Sequence, residues 1–214
     1  MAEYVQLQTY ATYDEDDFHE QLQSFREVLE RLGCKDEQLI TWLTQVALPE
    51  SEEENFEGIY ASPFVLTPAG AQPIECAGMA IALYTQLGAP SLEDPPSWVG
   101  FDLLFDVETV REPEKKLYKA SVSGTIWRIA SVLAETFREV GVYLTDEWQE
   151  NLSWRVIVEG VGDPWLFDLA LFPRELAARF EEVPAGFQGT AIEGAFGFAQ
   201  ANRWQTLPWL ESTT

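Results

Sequence analysis

Between Lys35 and Arg111 the chain runs for 75 residues without a single Lys, Arg or His, and that run carries 13 Asp and Glu. Over the whole chain 36 acids stand against 13 bases, a formal charge of −23. The imbalance is lopsided: residues 1–107 hold 20 acids and 3 bases (−17), residues 108–214 hold 16 and 10 (−6). A fold with so few cations to pair has to be carried by its apolar residues, and these are plentiful. Hydrophobic residues make up 46% of the chain and aromatics 13%, with 8 Trp and 13 Phe. Disordered acidic chains lack aromatic and β-branched residues, so this composition predicts a folded core. At 214 residues the chain suits one large domain or two small ones, and a chain of that size buries roughly 70% of its unfolded surface.

The same numbers exclude several classes. A one-sided negative field attracts cations and basic partners and repels nucleic acid, and it disfavours an anionic membrane surface. The longest apolar run, Met79 to Tyr84, is far too short to span a bilayer. Met1 to Tyr13 has neither a basic nor an apolar leader region. Two cysteines, Cys34 and Cys76, make no disulfide framework and are expected reduced and at least partly buried. Together these features predict a soluble, cytoplasmic protein.

Periodicity predicts the elements. Phe18, Leu22, Phe25, Leu29 and Leu32 form one stripe of a helix over 17–32, stopped by Gly33. A second helix is expected over 36–47, and Ser51-Glu52-Glu53-Glu54 fits the capping box of a short third one. Residues 58–73 read as loop or irregular strand. The small residues within 75–87 favour a closely packed helix. Residues 98–110 alternate as a strand, and 117–122 reads as a short strand. Residues 123–140 form the strongest helix pattern, with Ile126, Ile129, Leu133, Phe137 and Val140 on one face. A turn or two of helix is expected over 146–152. Residues 154–159 and 165–172 read as a hairpin, followed by a helix over 174–182 that starts after Pro173. The chain beyond Val183 is Gly-rich and aromatic and yields no assignment. Helices and antiparallel-looking strands mixed without regular alternation predict an α+β fold, an antiparallel sheet packed with amphipathic helices.

Phe25-Arg26-Glu27-Val28 recurs as Phe137-Arg138-Glu139-Val140, and Glu57-Gly58-Ile59 resembles Glu159-Gly160-Val161. A single domain over 1–214 built from two similar α+β halves, 1–107 and 108–214, would produce such an echo.

Candidate sites are few. His19 is the only histidine and sits among Asp16, Asp17 and Glu20, an exposed acidic context that favours its charged form. With one His and no Cys-x-x-Cys pair, zinc and di-iron patterns fail. Asp14-Glu15-Asp16-Asp17 breaks the calcium-loop pattern at its third ligand, Phe18, and lacks its glycine, since His19 stands there. Carboxylates at that position complement a helix N-terminus. No phosphate-binding glycine motif and no nucleophile elbow occur. No catalytic residue, metal or cofactor is expected. Asp102, Asp106 and Asp168 sit inside apolar strand patterns, where alternation would point them to solvent.

Three readings follow. The first is a non-catalytic acidic protein that binds a basic protein partner, in the manner of an immunity protein, a secretion chaperone or a nucleic-acid mimic. Its contact residues would be Asp14, Asp16, Asp17, Glu52, Glu53 and Glu54. The second is an enzyme or ligand-binding protein that uses carboxylates in an aromatic cleft formed by Asp102, Asp168, Trp204 and Trp209. The third is a structural subunit whose charge serves solubility. Oligomeric state is left open by all three.

Overall fold

The computed structural model describes residues 3–13, 17–47, 56–84, 97–146 and 154–210. Eight strands run through them in one sheet: β1 (Tyr4–Tyr13), β2 (Phe56–Tyr60), β5 (Gly78–Tyr84), β6 (Ser97–Asp106), β7 (Val142–Asp146), β8 (Leu169–Pro173), β9 (Phe187–Ile192) and β10 (Ala195–Gln200). Their order is β2-β5-β6-β1-β7-β8-β10-β9, and every pair is antiparallel. The two remaining strands, β3 (Phe64–Leu66) and β4 (Ile74–Cys76), form a separate small hairpin. The helices are α1 (Phe18–Arg31), α2 (Glu37–Gln45), the single turn α3 (Val107–Val110) and α4 (Ala120–Thr136). This is the predicted α+β architecture. No helix among the described residues is long and apolar enough to cross a membrane.

α1, α2 and α4 pack on one face of the sheet. α1 lies along its apolar stripe, with Phe18, Leu22, Phe25, Val28 and Leu29 buried, and the Phe25 ring stacks on Phe101 of β6 at 4.4 Å. The strands answer with residues two apart, Leu103 and Phe105 in β6 and Met79, Ile81 and Leu83 in β5, all wholly buried. A second apolar layer lies on the opposite face. There Tyr10, Trp98, Tyr143, Ala170 and Phe172 meet Trp154, Val156, Ile157 and Phe180. Phe180 stacks on Phe172 at 3.9 Å.

Several expected elements change character for this reason. Residues 78–84 form a strand, not a helix: the small residues Gly78, Ala80 and Ala82 alternate with Met79, Ile81 and Leu83, so the period is two. The Cβ of any other residue at 78 would stand 2.5 Å from the Tyr60 carbonyl oxygen. Residues 154–159 are no strand and make no hairpin with 165–172. Arg155–Glu159 is a π-helical turn closed by Gly160 at φ 73°, and β8 pairs with β7 and β10 instead. Of the short strand expected over 117–122, Tyr118 forms isolated β-bridges and residues 120–122 begin α4, which spans Ala120–Thr136. The helix expected at 174–182 is a 3-10 helix over Arg174–Phe180. The short helix expected at 51–54 and most of that expected over 146–152 lie outside the described residues, while Asp146 itself ends β7. The sequence echo does not fall on matching elements: Phe25–Val28 lies inside α1, Phe137–Val140 past the end of α4.

Phe25 is fully buried and central to the helix–sheet contact. Phe25→Ala is expected to destabilise the fold by about 3–5 kcal/mol, the usual range for a buried ring. Urea unfolding checks this, and an unchanged midpoint would mean the α1 face is not packed on the sheet.

Candidate functional site

At the end of β6 the chain makes one helical turn, α3, capped by Asp106, whose carboxylate accepts from the Glu108 and Thr109 amides at 2.7 and 3.3 Å. That turn delivers Arg111 to the interior. Arg111 bridges antiparallel to Tyr118, and Tyr118 bridges in parallel to Trp204. The Tyr118 amide donates to the Arg203 carbonyl at 2.7 Å, and the Gln205 amide donates to the Tyr118 carbonyl at 3.2 Å. The C-terminal segment is thereby laid against the segment that follows α3.

Four charged side chains from four separate stretches meet there. Arg111 donates from Nη1 to Asp146 Oδ2 at 3.1 Å. Its Nη2 donates to the Tyr118 hydroxyl at 2.8 Å and makes a short contact to Asp168 Oδ2. The Tyr118 hydroxyl donates in turn to Asp168 Oδ2 at 2.8 Å. Arg203 closes the group, with Nε 3.2 Å from Asp168 Oδ1 and Nη2 3.9 Å from Asp146 Oδ2. Trp204 stacks on Tyr118 at 4.2 Å and donates from Nε1 to the Asp168 carbonyl at 3.1 Å. Arg111, Asp146 and Asp168 are 5%, 2% and 0% exposed.

Two positive and two negative charges make the cluster neutral, which offsets the cost of burying Arg111, Asp146 and Asp168. An uncompensated buried ion carries a penalty of several kcal/mol. Burial pushes the Asp168 carboxyl above its ordinary value, and Arg203 and Arg111 oppose that shift. Burial would lower the Arg111 pKa, and Tyr118 and Asp168 outweigh it, so the guanidinium is held above its ordinary value. With Asp168 enclosed and bonded on both oxygens, the arrangement joins chain segments.

Of the expected cleft residues, Asp168 and Trp204 come together here. Asp168 does not point to solvent as alternation suggests. Phe167 and Leu169 belong to the apolar layers on opposite faces of the sheet, so the period of two breaks at Asp168 and turns it inward. Asp102 lies on β6, partly exposed, with β1 and β7 between it and β8. Trp209 packs on Trp127 of α4, with ring centroids 5.5 Å apart. Asp17 is exposed at the start of α1 and makes no side-chain capping bond. Asp14, Asp16, Glu52, Glu53 and Glu54 lie outside the described residues. His19 is exposed and lines a groove between α1 and α2 with Leu22, Gln23, Arg26, Leu43 and Thr44. No group of three or more His, Cys, Asp or Glu among the described residues could hold a metal ion. Arg111, Tyr118, Asp146 and Arg203 were not among the expected site residues. The one available signal was that Arg111 is the first base after the base-free run.

Burial raises the Tyr118 pKa well above its ordinary value, with the Asp168 charge adding to it, and burial alone does the same for Tyr143. A group whose folded pKa is raised contributes stability that is complete below its unfolded pKa, about 10 for tyrosine, and that is lost as pH rises toward the folded value. Of the 7 tyrosines, these two are expected to be missing from the absorbance step near pH ~10 and to titrate only as the protein unfolds in alkali. Reversible titration of all 7 with the circular dichroism spectrum intact would contradict this.

Comparison with protein-family models, with curated proteins and with solved structures finds no match to this chain.

Proposed function

We propose that this is a non-catalytic acidic protein that binds a basic protein partner through its N-terminal half, in the manner of an immunity protein, a secretion chaperone or a nucleic-acid mimic. One observation carries the reading: nine of the 13 bases are engaged in contacts within the chain, while many acids of the N-terminal half are left exposed. Arg26, Arg31, Lys115 and Arg155 each pair with a neighbouring glutamate. Lys119, Arg138 and Arg179 bond backbone carbonyl oxygens. Arg111 and Arg203 belong to the buried cluster. Meanwhile Glu3, Asp17, Glu20, Glu27, Glu37, Glu75, Asp106 and Glu108 of the acidic half, or directly after it, are exposed. A surface of this kind steers a cationic partner by its field. Cys34 and Cys76 are both free and buried, which suits a reducing, cytoplasmic setting.

The test is a charge reversal of Asp14, Asp16, Asp17, Glu52, Glu53 and Glu54 to lysine. A basic protein retained by the wild type at low ionic strength is purified, and its association rate is measured across a salt series. The Debye length falls from ~30 Å at 0.01 M to ~8 Å at 0.15 M. The wild-type rate is expected to fall steeply over that range, and the reversed variant to associate at least about tenfold more slowly at low salt. Equal rates for the two proteins throughout would sink the proposal.

A further inference from the structure

The two cations of the buried cluster are held very differently. The Arg111, Asp146 and Asp168 side chains are 6%, 3% and 0% exposed, whereas that of Arg203 is 32% exposed. Arg111 reaches both carboxylates through separate nitrogens and bonds the Tyr118 hydroxyl as well. Arg203 holds Asp168 Oδ1 from Nε at 3.2 Å, and its Nη2 stands 3.9 Å from Asp146 Oδ2, beyond hydrogen-bond length. Its backbone is fixed independently of that side chain. The Arg203 carbonyl accepts from the Tyr118 amide at 2.7 Å, and Trp204 beside it is buried and stacked on Tyr118. Departure of the Arg203 side chain alone leaves these contacts intact.

Resting on the reading of a basic partner, we propose that Asp146 and Asp168 form a guanidinium site that Arg203 occupies from within the chain, and that an arginine of the partner enters it by displacing Arg203. Arg111 balances one of the two carboxylates, so the pair still demands one more cation. Exchange of one guanidinium for another leaves the buried charge unchanged and strands no carboxylate. A planar fork suits two neighbouring carboxylates better than a compact ammonium does, and a guanidinium is what stands there in the free chain. The surroundings carry the matching field. At this end of the sheet Val5 pairs with Asp146 and Tyr4 with Asp106, and Glu3, Asp106 and Glu108 are exposed. A cationic partner steered by the acidic half therefore meets the cluster at the edge of that field. Arg203 competes with it, and lowers the apparent affinity by the fraction of sites it leaves open.

Calorimetric titration with hexa-arginine and with hexa-lysine, at one low ionic strength, reads this on the wild type and on two variants. Arg203→Ala removes the internal occupant. Arg138→Ala removes an exposed base elsewhere, with the same change in net charge. The wild type, which needs no variant to be informative, is expected to bind hexa-arginine at least about twofold more tightly than hexa-lysine. Arg203→Ala is expected to widen that preference by about fivefold or more, and Arg138→Ala to leave it at the wild-type value. Thermal melting of Arg203→Ala supplies a peptide-free reading: N-methylguanidinium is expected to raise its melting temperature, and methylammonium at equal concentration to leave it unchanged. Equal binding of the two peptides by the wild type, a preference that Arg203→Ala leaves unchanged, or an Arg203→Ala protein that methylguanidinium does not stabilise would each overturn the guanidinium site while leaving the acidic-surface reading in place. If neither peptide binds, that reading falls and the site with it.

Discussion

A buried guanidinium dictates its own surroundings. Arg111 is 5% exposed, and a cation removed from water demands both countercharge and hydrogen-bond acceptors. Asp146 at the end of β7 and Asp168 just before β8 supply both. Their two charges exceed what Arg111 alone can balance, and Arg203 brings the sum to zero. Meeting one side chain's needs therefore fixes three distant stretches of chain. It aligns β7 with the approach to β8, holds the turn after α3 against Tyr118, and brings the C-terminal segment back over the sheet. Trp204 then seals the cluster, stacked on Tyr118 and bonded to the Asp168 carbonyl.

The same economy of cations shapes the outside. With 13 bases for 36 acids, each base placed in the cluster, in a helix-surface pair or on a backbone carbonyl leaves the remaining carboxylates facing solvent. The interior is close to neutral while the surface is strongly negative. The β9–β10 hairpin stands apart from both, since it is neither a charged surface nor a buried core.

What could be read from the chain follows from how many faces each element buries. α1 buries one stripe and α4 mostly one face, and both are evident from residues spaced three and four apart. β6 shows its alternation because Leu103 and Phe105 are inside and Asp106 is out. β7 and β8 are covered on both faces, so Val142–Asp146 and Leu169–Phe172 are buried throughout. No period survives in a strand buried on both sides. β1 hides for the same reason, with Gln8 and Thr9 buried among its apolar neighbours. Val156 and Ile157 look like strand residues because they are β-branched and apolar, yet they belong to a turn packed on the second face. The cluster was least legible of all. Its members lie up to 92 positions apart, at 111, 118, 146, 168 and 203, and only the sheet order brings them into contact.

The central claim is that Arg111 and Asp168 act as one compensated unit. A double-mutant cycle with Arg111→Met, Asp168→Leu and the pair tests it by equilibrium unfolding. Each single change leaves a buried charge without its counterion and is expected to destabilise by about 3–5 kcal/mol. The double variant should lose less than the two singles added together, by at least about 1 kcal/mol, since neighbours in one network couple by roughly 0.5–3 kcal/mol. If the two losses simply add within about 0.5 kcal/mol, as independent sites do, the two side chains are not coupled and the cluster does not organise the fold.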